Sequence, residues 1–104
     1  MVFIETPLFT KQVKALLDDD SYAAFQRHLA DHPDAGDVIE GTGGLRKIRV
    51  AASGRGKRGG ARVIYFHFVS ADRIALLHIY AKSEQPDLTA EEKKILRRII
   101  ENWR

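Results

Sequence analysis

Residues 61–69, ARVIYFHFV, constrain the fold more than any other stretch of the chain. They are dense in β-branched and aromatic residues, which suit a pleated, packed sheet. Residues 70–73 offer a turn, and residues 74–82, IALLHIYAK, read as the next strand. Shorter strands are expected at residues 2–5 and 45–51. Between them the pattern is helical. Thr6 and Pro7 have the character of an N-cap and a first helical residue, and Phe9, Val13, Leu16 and Leu17 follow at helical spacing. Asp18-Asp19-Asp20 breaks that helix and caps a second one, in which Tyr22, Phe25 and Leu29 share a face and which His32-Pro33 ends. Two helices joined so tightly predict an antiparallel hairpin. Residues 34–44 read as a loop. Thr89 and Glu92 have capping-box spacing, and Leu96, Ile99, Ile100 and Trp103 mark the apolar face of a last helix. The expected order is β-α-α-β-β-β-α. It predicts an α+β fold, one domain over residues 1–104, with a mostly antiparallel four-stranded sheet and the helices on one face.

A chain of 104 residues has room for one modest core, and 44% hydrophobic with 30% charged residues fits a globular protein rather than a disordered one. Without cysteine there is neither a disulfide framework nor a thiolate metal site. The opening MVFIETPLF does not read as a signal peptide, and no apolar run is long enough to span a bilayer, so a cytoplasmic location without membrane contact is expected.

The net charge of +3 is mild, but its distribution is uneven. Between Gly41 and Ala71 there is no Asp or Glu. Seven of the 17 Lys and Arg residues fall there (Arg46, Lys47, Arg49, Arg55, Lys57, Arg58 and Arg62), leaving ten against all 14 acidic residues elsewhere. A cationic block on an otherwise acidic chain raises the local concentration of a polyanion, with nucleic acid the foremost candidate. The plainer alternative is a solvated surface.

Gly54, Gly56 and Gly59 match G-x-G-x-x-G, but a strand follows them where a dinucleotide site needs a helix N-terminus. A better reading of SGRGKRGG is a phosphate-gripping arm, with glycines that allow close backbone approach and Arg55, Lys57 and Arg58 for charge. The alternative is a connection whose charges only keep it soluble. Strand alternation puts Lys47 and Arg49 on one face with Leu45, opposite Ile48 and Val50. Arg62 opens the next strand, where it is expected to face solvent, and Tyr80 and Lys82 share a face. A sheet joining these strands gathers Lys47, Arg49, Arg62, Tyr80 and Lys82 on one cationic surface, although each alone reads as a strand-end charge.

Metal-free RNA cleavage must take a proton from the 2′-OH, stabilise a phosphorane and protonate the 5′ oxygen. Arginine suits the phosphorane, lysine can act as acid or charge clamp, and tyrosine can orient, exchange a proton or stack on a base. His67 and His78, on adjacent strands, offer a rival acid–base pair if they meet on the open face; partial burial is the plainer expectation. His28 and His32, at i and i+4, have metal-ligand spacing but no compelling carboxylate partner, so no metal is assigned and polar-face residues are expected.

The segments GTGGLRK, GRGKRGG and YAK, within a likeness that covers nearly the whole chain including TPLF, closely resemble the RelE-type toxins of type II toxin–antitoxin modules, and the HigB branch most of all. The resemblance implies a microbial-ribonuclease-like fold and a toxin that cuts mRNA in the ribosomal A site without metal or cofactor. Lys47 and Arg49 match the family's basic second strand, Arg62 the arginine opening its third, and Lys82 the cation after its fourth. The family's C-terminal tyrosine has no counterpart after Tyr80; either Tyr80 replaces it or the role is missing here. Arg46, Arg55, Lys57 and Arg58 are candidate contacts to RNA and ribosome. Implied partners are the 70S ribosome with its rRNA and mRNA, and a cognate helix-turn-helix antitoxin of the HigA kind, through which alone operator DNA is reached. Competing readings are a ParE-like gyrase inhibitor, which needs no phosphate-cleaving cluster, and a non-catalytic RNA-binding domain, which needs stacking aromatics among the cations. A degenerate toxin that only binds its antitoxin is a third.

Overall fold

A computed structural model describes residues 1–51 and 60–103. The elements run β1 (Val2–Glu5), α1 (Pro7–Leu16), α2 (Asp19–Asp31), β2 (Asp37–Val38), β3 (Arg46–Val50), β4 (Ala61–Phe68), β5 (Arg73–Ala81) and α3 (Ala90–Trp103). The sheet order is β1-β5-β4-β3-β2; β1 runs parallel to β5 and the other pairs are antiparallel. The α+β class and mostly antiparallel sheet are as expected, with five strands instead of four. The extra strand lies in the expected loop, where Asp37 and Val38 pair with Lys47 and Arg46. Two residues are too short to show alternation.

The caps are those the sequence announces. Thr6 Oγ1 accepts from Phe9 N–H at 3.1 Å, Asp18 from Ser21 N–H at 2.7 Å, and Thr89 from Glu92 N–H at 3.1 Å, while Glu92 Oε1 accepts from Thr89 N–H at 2.9 Å. Each satisfies amide donors that the first turn of a helix leaves without internal partners.

The helices do not share one face. Phe9, Val13, Leu16 and Leu17 with Phe25 and Leu29 pack on Ala61, Val63, Tyr65, Ile74 and Leu76. On the other side, Leu96 and Ile100 of α3 pack on Leu45, Ile64, Ala75, Leu77 and Tyr80. The cause is in the central strands: β4 and β5 are buried on both faces, so both need cover. ARVIYFHFV accordingly runs apolar without strict alternation.

Two details set the geometry of the sheet's exposed end. Ile64 pairs with His78 but Tyr65 with Leu76, a β-bulge that gives β5 one extra residue. Leu77 therefore stays under α3 while Tyr80 falls on the same face, opposite Arg62. The second detail is the connector from α2 to β2. Tyr65 Oη donates to Pro33 O at 2.8 Å and accepts from Gly36 N–H at 2.9 Å, and Arg46 Nη1 donates to Gly36 O at 2.6 Å. A Cβ on Gly36 would lie 2.8 Å from the Tyr65 ring, so only glycine fits there.

Candidate active site

Helix α3 covers only part of its face of the sheet. Beyond it, β3, β4 and the end of β5 leave an open cleft of about 580 Å³, lined by Lys47, Arg49, Arg62 and Lys82 together with Asp37, Pro86, His28, Ala35 and Ile48. Register explains the convergence: Arg49 pairs with Arg62 and Arg62 with Tyr80, so three neighbouring strands present these residues side by side. Lys82 follows β5 directly, and its N–H bonds to Gly60 O at 3.1 Å, holding the strand end against the start of β4. The lining also passes round the edge of β3, where β2 no longer pairs, to His28 on α2.

The cations are not equivalent. Arg49 and Lys82 are exposed. Lys47 Nζ is 3.3 Å from Asp87 Oδ1, an ion pair open to water. The Asp87 carboxyl sits below its ordinary value because Leu88 N–H and then Lys47 bond to it. Arg62 differs from expectation: it is only 6% exposed, with Nη1 donating to Ala61 O at 3.2 Å. Flanked by β3 and β5, it is a fixed, largely desolvated charge in the cleft floor, and charges act more strongly where water is excluded.

Tyr80 does not line the cleft; it packs beside it in the apolar cluster with Leu96 and Ile100 of α3. It is 6% exposed, and its hydroxyl is buried with no hydrogen-bond partner among the described residues. Burial, and then the charge of Asp87, push its pKa up to about 12, with Arg62 pulling the other way. Arg46 also falls outside the cleft, on the opposite face, with its guanidinium on the carbonyls of Asp34 and Gly36. Arg55, Lys57 and Arg58 lie outside the described residues.

The paired histidines do not meet. His78 pairs with Ile64 and His67 with Ile74, so they sit about 10 Å apart along the strands. They also face opposite sides: His67 shares the parity of Tyr65, while His78 faces α3, with Nε2 3.5 Å from Glu92 Oε2. Its Nδ1 faces Gln12 Oε1 at 3.1 Å, an atom that also accepts from Ile79 N–H. Burial lowers the His78 pKa, against the pull of Glu92. The His28 and His32 rings lie tilted at 48° with centroids 5.3 Å apart, and no group of three or more metal-ligating side chains occurs among the described residues.

Sequence reasoning missed Asp37 and His28 as cleft residues and Asp87 as the partner of Lys47. Asp37 stood in an assumed loop, and His28 reaches the cleft only through the packing of α2 beside β3. No helix among the described residues is long and apolar enough to cross a membrane. A family model described as the RelE toxin of the RelE/RelB toxin–antitoxin system matches residues 6–104. With nearly the whole chain inside that match, the protein belongs to the RelE toxin family, the toxin half of a toxin–antitoxin module.

Proposed function

We propose that the chain is a ribosome-dependent endoribonuclease that cuts mRNA in the A site. The observation that carries this reading is the convergence of Lys47, Arg49, Arg62 and Lys82 on one cleft. Four cations lining one open cleft suit a polyanionic strand, and the forked donors of the buried Arg62 suit the extra charge of a phosphorane. In the proposed reaction the 2′-oxygen loses its proton and attacks phosphorus. The bond to the 5′-oxygen then breaks as that oxygen gains a proton from Lys82, leaving a 2′,3′-cyclic phosphate and a 5′-hydroxyl. Lys47 and Arg49 hold neighbouring phosphates. Lys47 must leave Asp87 to do so, at small cost because the pair is solvated. Tyr80 stands beside Arg62 on the neighbouring strand.

The family match supports pairing with an antitoxin. The resemblance further suggests a helix-turn-helix protein of the HigA kind as that partner and the cytoplasm as the place of action. Arg55, Lys57 and Arg58 are proposed as ribosome contacts on their charge alone. Induced expression followed by mapping of mRNA 5′ ends tests the reading. Cuts confined to translated frames are expected. Growth arrest with intact mRNA and altered DNA supercoiling would point to gyrase instead.

A further inference from the structure

The proposed reaction needs a group to receive the 2′-hydroxyl proton, and the cations of the cleft do not offer one readily. Arginine does not give up its proton in proteins, which removes Arg49 and Arg62. Lys47 pairs with Asp87 and, in the proposed reaction, holds a neighbouring phosphate. Tyr80 does not line the cleft, and its hydroxyl is buried. Two lining residues remain that are not cations of this kind, Asp37 on β2 and His28 on α2.

His28 stands in the last turn of α2, on the side turned to the edge of β3. It borders both the cleft and the adjoining depression beside Arg49 and Val50, so its ring stands where a strand crossing Arg49 would pass. Imidazole is the side chain whose charge changes between about pH 5 and 8 and which both takes and returns a proton there. The charged groups around it are Arg49 and Lys47 from β3, Asp37 from β2, His32 from its own helix, and Arg62 and Lys82 across the cleft. We propose that His28 reaches the attacking nucleotide from the β3 edge and takes the 2′-hydroxyl proton as O2′ bonds to phosphorus. Lys82 protonates the departing 5′-oxygen, and the two groups exchange the proton back through water after release. This rests on the ribonuclease reading and adds to it a base from outside the sheet.

The test is a single-turnover cleavage series with purified toxin and 70S ribosomes carrying a defined mRNA codon in the A site, from about pH 5.5 to about 8.5. The wild type is expected to show an ascending limb within that range. His28→Ala and His28→Gln are both expected to lose the limb and to cut about a hundredfold more slowly or worse, with unchanged ribosome affinity and melting temperature, since His28 is exposed. His67→Ala, on the face of the sheet opposite Lys47, Arg49 and Arg62, keeps the limb. A limb that persists in both His28 variants overturns the assignment, as does a loss of affinity alone. A limb that disappears in Asp37→Asn instead gives the role to Asp37. No cleavage by the wild type at any pH would remove the ribonuclease reading along with this one.

Discussion

Tyr65 shows how much of the site depends on one buried side chain outside it. Its hydroxyl bridges Pro33 O and Gly36 N–H, and these bonds fix the connector that delivers Asp37 and Ala35 to the cleft wall. Tyr65→Phe leaves both backbone groups short of a partner in a buried place, and a loss of about 1–3 kcal/mol in stability is expected by denaturant titration. A neutral result would mean that the connector is held by Arg46 alone. Tyr80→Phe is the contrast. The hydroxyl removed has no hydrogen-bond partner among the described residues, so stability is expected unchanged or slightly raised and cleavage reduced by no more than a few-fold. A hundredfold fall in rate would show instead that the hydroxyl reaches the reacting phosphate. Residue identity alone separates these two tyrosines poorly: both stand in strands, and only the packing around them gives one hydroxyl two partners and the other none among the described residues.

At the scale of elements, α3 is anchored at its first turn by Glu92. Burial works against that carboxylate, but bonds from Thr89 N–H and Gln85, together with the nearby His78, outweigh it and hold its pKa below the ordinary 4.5. A carboxylate depressed in the folded state stabilises the fold above its unfolded pKa and loses that contribution as pH falls through the folded value. The melting-temperature advantage of the wild type over Glu92→Gln is therefore expected in full at neutral pH and to shrink below about pH 4.5. An advantage that stays constant into acid would remove charge from the account of the cap. The caps, the helix faces and the long strands were legible because each rests on local chemistry within a few residues. Three features were not: the two-residue β2, the bulge at Leu77–His78, and the face to which α3 returns. All are set by pairing or packing between distant residues, and LLHIY reads the same with or without an extra residue in the ladder.

Over the whole molecule, charge is segregated so that the acid-free segment supplies Lys47, Arg49 and Arg62 to one cleft, while Lys82 arrives from the far end of β5. Strand parity made Lys47 with Arg49, and Tyr80 with Lys82, legible as sharing a face within their strands, but not that Arg62 would be buried or that α2 would bring a histidine to the same opening. Because several phosphates are to be neutralised together, ribosome affinity is expected to fall steeply and log-linearly with salt. Affinity that hardly changes up to physiological salt would argue for recognition by another surface. The central claim is that this cleft cuts RNA, and the most direct measurement is the single-turnover rate of A-site mRNA cleavage by Lys82→Ala and Arg62→Lys, each checked for an unchanged melting curve. Lys82 is exposed, so its loss removes a proton donor without disturbing the core, and Arg62→Lys keeps a charge but loses the fork. Each is expected to lower the rate about a hundredfold, on the order of 3 kcal/mol of barrier. Wild-type rates from both folded variants would contradict the account.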